Sequence, residues 1–89
     1  MSDLTYLLIN MSDLERFDIP GWWRFIRPEL GDKLLDGAYI MGKDLDDAGL
    51  AVSCTDARAA AIIGGLELLS RRKGKVRCKQ VGELPKPII

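Results

Sequence analysis

The sequence predicts one α+β domain, built as a two-layer sandwich in which helices pack on one side of a small mixed or antiparallel sheet. Three observations lead to this prediction. Strand-like and helix-like segments alternate along the chain, a hairpin joins two strands, and residues 56–73 have the length and ends of a long helix. A ferredoxin-like β-α-β-β-α-β order is the leading topology, and the topology stays open if residues 22–27 add a strand.

The 89 residues leave room for a single domain spanning residues 1–89. A hydrophobic content of 47% and a charged content of 29% are typical of soluble globular proteins. The first residues lack the basic region and the long apolar run of a signal peptide. Two cysteines in such a chain predict a reducing cytoplasm. A core of this size also favours oligomerisation as a source of stability.

The first half of the chain predicts one strand and two helical regions. Residues 4–11 are apolar and β-prone on both faces, so they form a central strand. Residues 12–15 match a capping box, which indicates a helical turn. Residues 22–27 fit a strand or a short helix nearly equally. Residues 28–36 form a second, shorter helical region, because Pro28 suits its first position and a glycine follows as its stop.

The second half predicts three strands and the long helix. Residues 38–41 and 50–54 are strands joined by an acidic loop. Residues 75–81 alternate between apolar and basic side chains, so they form a strand with one buried and one solvated face. The segment 83–89 contains two prolines and is expected to be a loose tail.

The helix at 56–73 has both of its ends marked. Thr55 or Asp56 can cap its first turn, and Gly74 suits the position after its last turn. The glycine pair Gly64–Gly65 is unusual, because each mid-helix glycine costs about 1 kcal/mol relative to alanine. Two interpretations remain: close packing on the protein's own sheet, which we prefer, or a surface for self-association. The small residues of this surface are Ala57, Ala60, Ala61, Gly64 and Gly65.

Charge is divided unequally along the chain although the formal net charge is zero. Residues 1–56 carry eleven acidic and five basic side chains, whereas residues 57–89 carry eight basic and two acidic ones. Such an asymmetry can mark a charged binding face. Alternatively, the two halves neutralise each other within the fold or across an oligomer.

No motif indicates catalysis, a cofactor or a metal site. The chain has no histidine, so histidine-activated nucleophiles and histidine-bearing zinc sites are excluded. Cys54 and Cys78 lack the spacing of a zinc or redox pair and are expected to be buried and inert. The loop from Asp44 begins like a calcium loop, but Ala48 and Thr55 occupy two positions that need oxygen ligands. We therefore predict a protein that is not an enzyme.

The first candidate site is an aromatic and basic segment near residue 25. Tryptophan and arginine are the residues most enriched in binding hot spots. The alternative is that these aromatic side chains fill the core, with the arginines at its rim. Adjacent tryptophans cannot both point easily into one small core, so at least one is expected to be exposed or in an interface. The predicted partner-binding residues are Trp22, Trp23, Arg24, Phe25 and Arg27.

The second candidate is a basic segment that contains Arg71, Arg72, Lys73, Lys75, Arg77 and Lys79. A local cluster of this kind can contact phosphates. No aromatic residue interleaves with it, which argues against stacking on single strands. A solvated basic rim without function and a contact with an acidic protein surface are the other interpretations.

These patterns favour a small cytoplasmic binding protein that docks a macromolecular partner, another protein first of all, and so regulates or inhibits it. Short chains without catalytic residues are common among phage-encoded inhibitors and immunity proteins, and a homodimer fits the composition. The alternative function is a nucleic-acid-binding module that uses the basic segment at 71–79. No membrane partner is expected.

Overall fold

The computed structural model describes residues 4–17, 33–42, 47–71 and 74–88. Their elements, in chain order, are β1 (Leu4–Asn10), α1 (Met11–Arg16), β2 (Lys33–Leu34), β3 (Tyr39–Ile40), β4 (Ala48–Thr55), α2 (Asp56–Ser70) and β5 (Cys78–Val81). The strands form one sheet in the order β2-β4-β1-β5, and β3 also pairs with β4. Each of these pairings is antiparallel.

This architecture confirms the predicted two-layer α+β sandwich. β1 lies between β4 and β5, the central position that its apolar residues on both faces predict. β3 and β4 form the predicted hairpin. When β2 and β3 are taken as two pieces of one strand beside β4, the described elements follow the ferredoxin-like β-α-β-β-α-β order.

One face of the sheet and the two helices enclose the main core. Leu7 and Ile9 of β1 point to this side and are fully buried, and Val52 of β4 lies opposite Leu7 in the register. Leu14 of α1 and Leu66 of α2 pack against them. The buried members of this cluster are Leu7, Ile9, Leu14, Phe17, Val52, Cys54, Ala59, Ile62, Leu66 and Val76.

The opposite face of the sheet carries a smaller cluster centred on Leu8 and Ala51, and the C-terminal segment contributes to it. Leu84 packs against this cluster. Further along, the backbone N–H of Ile88 donates to the carbonyl of Ala38 at 2.7 Å, and Pro87 bridges Tyr39. The segment predicted to be a loose tail therefore has definite contacts with the sheet as far as residue 88.

The predicted helical region at 28–36 is wrong where the structure describes it. Lys33 and Leu34 form strand β2, paired with β4, and residues 36–37 form a bend. The N–H of Leu35 donates to the carbonyl of Ala51 at 2.9 Å. The open edge of β4 thus supplies the backbone hydrogen bonds that a helix would have had to make internally. Residues 28–32 lie outside the described residues.

The shorter of the two helices is α1, which follows β1 directly. Its cap is Asn10 instead of the predicted Ser12, because the Asn10 Oδ1 accepts a hydrogen bond from the N–H of Asp13 at 2.9 Å. The strand therefore passes into the helix without a loop. This junction holds Asn10 and Asp13 in the protein interior.

The helix predicted at 56–73 begins as expected and ends early. Thr55 caps α2 by accepting from the N–H of Arg58 at 3.2 Å. The last helical residue is Ser70, three residues before the predicted end. Gly74, with a φ of 124°, donates its N–H to the carbonyl of Ser70 at 3.0 Å and so closes the helix end. Residues 72–73 lie outside the described residues.

Candidate functional site

The predicted aromatic site falls in a part of the chain that the structure does not describe. Trp22, Trp23, Arg24, Phe25 and Arg27 lie within residues 18–32, so this site stays a prediction. Phe17, which precedes the segment, is buried in the main core beside Gly74. The first aromatic residue of this region is therefore a core residue.

The structure describes four of the six residues of the predicted basic segment, and all four are exposed, so this site stays a prediction. Of its six residues, Arg72 and Lys73 lie outside the described residues. Arg77 binds Asp13, and Lys75 Nζ lies 3.5 Å from Glu67 Oε1. The two other described residues of the segment are Arg71 at the end of α2 and Lys79 on β5.

Asn10, Asp13, Asp47 and Arg77 form a polar junction where α1 begins and β5 approaches. The Nε of Arg77 donates to Asp13 Oδ2 at 2.8 Å, and the backbone N–H of Arg77 donates to the same oxygen at 3.0 Å. Asn10 Nδ2 donates to Asp47 Oδ1 at 2.6 Å. The N–H of Asn10 also donates to the carbonyl of Arg77 at 2.9 Å. Three distant parts of the chain are thereby fixed to one another.

The electrostatics of the polar junction keep Asp13 ionised. Hydrogen bonds from Arg77 hold the pKa of this carboxyl below its usual value, against the opposing effect of burial. The same contact raises the pKa of Arg77. A carboxylate held in this way is a poor proton donor near neutral pH. Part of the charge asymmetry along the chain is therefore neutralised within the fold.

The two cysteines belong to the main core on the helix side of the sheet or pack against it. Cys54 is buried, as predicted, whereas Cys78, also predicted to be buried, is half-buried because β5 lies at the edge of the described sheet. Burial raises the pKa of the Cys78 thiol to about 11. A thiol with so high a pKa carries almost no thiolate near neutral pH, and the thiolate is the nucleophilic form.

An open depression lies beside the C-terminal end of α2. Its volume is about 270 Å³, and it is lined by Glu67, Ser70, Arg71, Gly74 and Lys75. The Ser70 hydroxyl is committed to the carbonyl of Leu66 at 2.9 Å. Acidic and basic side chains share this depression, so its charge does not select one kind of small ion. Within the described ranges, no three acidic or cysteine side chains could hold a metal ion.

The outer face of α2 comprises Ala57, Ala61, Gly64 and Leu68, which recur at helical spacing on the side away from the sheet. The side of a surface helix that faces solvent usually carries charged residues. Here, both alanines are exposed and Leu68 is 71% exposed. Leu68 was not predicted as a site residue, although its spacing from Ala61 and Gly64 is readable in the sequence.

The preferred interpretation of the glycine pair, close packing on the protein's own sheet, is not supported at Gly64. A methyl group built on Gly64 meets no atom within 4 Å among the residues that the structure describes. Close packing on the protein's own sheet therefore does not account for a glycine at this position. Leu69, although apolar, is 39% exposed. The inner side is formed by Ala59, Ile62, Leu66 and Ser70.

Comparison with known proteins gives no match: no family model fits the chain, and no curated protein or solved structure is significantly similar to it. Along the described part of the chain, no helix is long and apolar enough to cross a membrane.

Proposed function

We propose that this is a small non-enzymatic binding protein that docks another protein through the outer face of α2 and so regulates or inhibits it. The observation that carries the proposal is the exposure of Leu68 at 71% on a face without charged residues from Ala57 to Leu68. Burying a leucine side chain contributes about 1.5–3 kcal/mol, which favours association.

Two of the described groups that could perform chemistry, Asp13 and Cys78, are in states that do not favour it, which supports a binding function. Asp13 is ionised and held by Arg77, and the Cys78 thiol stays protonated near neutral pH. The contact of Asp13 with Arg77 also stabilises the fold. The segment Trp22–Arg27 remains a second proposed contact, on the basis of its residue types alone.

The alternative of nucleic-acid binding has weaker support. Phosphate contact needs basic side chains that are available together on one face. Arg77 is hydrogen-bonded within the polar junction and Lys75 lies 3.5 Å from Glu67, while both basic side chains remain more than half exposed. Arg71 and Lys79 are exposed but belong to different elements.

Affinity capture from an extract of the native host, at low and high salt, tests the proposed docking face. The immobilised proteins are the wild type, Leu68→Glu, and Leu4→Glu as the matched control, because Leu4 is a leucine with a similar exposure of 62% on β1. We expect a protein that is retained at high salt by the wild type and by Leu4→Glu, and lost from Leu68→Glu.

Other results of the capture would contradict the proposal. Equal retention of the partner by Leu68→Glu would exclude the outer face of α2. A nucleic acid released by high salt would favour the alternative function, because phosphate contacts weaken steeply with salt. Loss of a protein partner only in Trp22→Ala or Trp23→Ala would move the site to the aromatic segment.

A further inference from the structure

We propose that the outer face of α2 docks the same face of a second copy of this chain, with the two helices antiparallel and crossing at Gly64. This inference rests on the proposed docking face and concerns the free protein, in which a second copy covers the face that the other protein occupies in the complex. It is carried by the exposed Leu68, by the charges at the two ends of α2, and by the symmetry of the face about its glycine.

The spacing of the outer face fits helix-on-helix packing. Continued by one step, the face runs through Ala57, Ala61, Gly64, Leu68 and Arg71, whose separations alternate between four and three residues. This alternation is the spacing of a coiled-coil seam, in which side chains of one helix enter holes between those of the other. The seam extends over most of the 15 residues of α2.

The sizes of the side chains are complementary when the helices run antiparallel. With Gly64 at the crossing point, Leu68 of each copy lies near Ala61 of the other copy. A large side chain then fills the space left by a small one on both sides of the centre. Gly64 lets the two backbones approach closely, which gives this residue the role that it lacks within a single chain.

The charges at the ends of α2 select the antiparallel arrangement and a second copy. Asp56 is exposed at the first turn, where its Oδ1 accepts a hydrogen bond from Gln80 Nε2 at 2.6 Å, and Arg71 is exposed at the end of the helix. An antiparallel pair brings Asp56 of each copy toward Arg71 of the other, whereas a parallel pair brings like charges together. The opposed helix dipoles act in the same direction. The same surface thus carries both the acidic and the basic member of the contact, as a two-fold symmetric interface requires.

One helix face is small compared with the roughly 800 Å² per partner of a standard interface, so the dimer is expected to be reversible. Sedimentation equilibrium of the purified protein from about 1 μM to about 1 mM covers the range in which weak complexes form. The wild type and Leu4→Glu are expected to pass from monomer to dimer with rising concentration, and Leu68→Glu is expected to stay monomeric. Circular dichroism checks that each variant is folded.

A wild type that is monomeric at every concentration, or a Leu68→Glu variant that dimerises like the wild type, would overturn the inference. Both outcomes can be told apart from failure of the docking face itself. A monomeric protein whose capture of a partner still depends on Leu68 would retain the docking face and lose only the second copy as its occupant.

Disulfide trapping tests the orientation of the two helices. Ala57→Cys mixed with Arg71→Cys is expected to give a cross-linked heterodimer under mild oxidation, more than either variant alone. The native thiols interfere little, because Cys54 is buried and the pKa of Cys78 is about 11. Preferential cross-linking of Ala57→Cys with itself would show a parallel pair and overturn the proposed arrangement.

Discussion

The polar junction and the outer face of α2 differ in how far a single chain satisfies their residues. In the junction, Asp13 is 2% exposed and receives hydrogen bonds from both the side chain and the backbone of Arg77. On the outer face, Leu68 is exposed, and Gly64 makes room that no described residue of the chain fills.

This difference separates residues that the fold requires from residues that it does not use. A buried charge without its partner destabilises the folded state, so the junction constrains the sequence. An exposed leucine has little effect on folding, so the stability of the fold does not require particular residues on the outer face. A mid-helix glycine that lowers stability without an internal contact is better explained by a contact outside the chain.

The largest expected effect comes from a pair of leucines on opposite sides of α2. Leu66 is 1% exposed in the core, and Leu68 lies on the outer face. We expect Leu66→Ala to lower the free energy of unfolding by about 2–5 kcal/mol, because it leaves a cavity. Leu68→Ala should change it by less than about 0.5 kcal/mol at concentrations where the protein is monomeric. Urea denaturation of both variants measures the difference, and equal losses would contradict it.

The next effect concerns Asp13. Replacing it in Asp13→Asn removes charged hydrogen bonds to Arg77, each typically contributing about 1.5–3 kcal/mol. We expect a loss of about that size at neutral pH. Glu15→Gln is the control, because Glu15 is an exposed acid on the same helix. A similar loss in both variants would mean that the junction has no special role.

The pH dependence of stability gives a second measure of Asp13. Its pKa is lowered in the folded state, so the unfolded chain takes up the proton first as the pH falls. The contribution of Asp13 is complete above the unfolded pKa of about 3.9 and is lost as the pH drops from there through the folded pKa. Urea denaturation between neutral and acidic pH should therefore show a shallower acid loss in Asp13→Asn than in the wild type.

Two glycines provide the third comparison. Gly74 has a φ of 124°, and an added Cβ would come 3.0 Å from the ring of Phe17. We expect Gly74→Ala to destabilise the fold by about 1–3 kcal/mol, because alanine rarely adopts this backbone conformation. Thermal unfolding followed by circular dichroism measures the change. An unchanged midpoint would show that the helix end can rearrange around the new side chain.

The smallest expected effect is a gain in stability from Gly64→Ala. Alanine is favoured over glycine in a helix by about 1 kcal/mol, and the added methyl group meets no described atom within 4 Å. The free energy of unfolding of the dilute protein should rise by up to this amount. Destabilisation would show that Gly64 is needed inside the single chain, and so would weaken the contrast between the two regions.

Local patterns were sufficient to predict most of the fold. The apolar residues of β1 predicted a central strand, and the marked start of α2 predicted its first residue correctly. The errors lie where a distant partner decides the structure. β2 forms at 33–34 because β4 offers an open edge, and Ile88 is held by Ala38 across the sheet. Neither partner can be recognised from the neighbouring residues.

The candidate sites were harder to predict for the same reason. Arg77 was grouped with its basic neighbours in sequence, whereas its hydrogen-bond partner Asp13 is 64 positions away. Spacing in sequence identifies residues on one face of a helix, but it does not show which charges another element has already paired. The outer face of α2 could be recognised from its spacing, and its exposure became evident only once the sheet was assigned to the other side of the helix.

The position of β5 beside β1 has a consequence for how the protein is made. The Thr5 hydroxyl donates to the carbonyl of Val81, 76 positions further along the chain. At a synthesis rate of about 5–20 residues per second, β1 waits roughly 4–15 s before its second neighbour exists. Until then β1 can pair only with β4, and one of its edges stays open. Pairing with β4 as soon as that strand is made therefore reduces the chance that β1 pairs with other nascent chains.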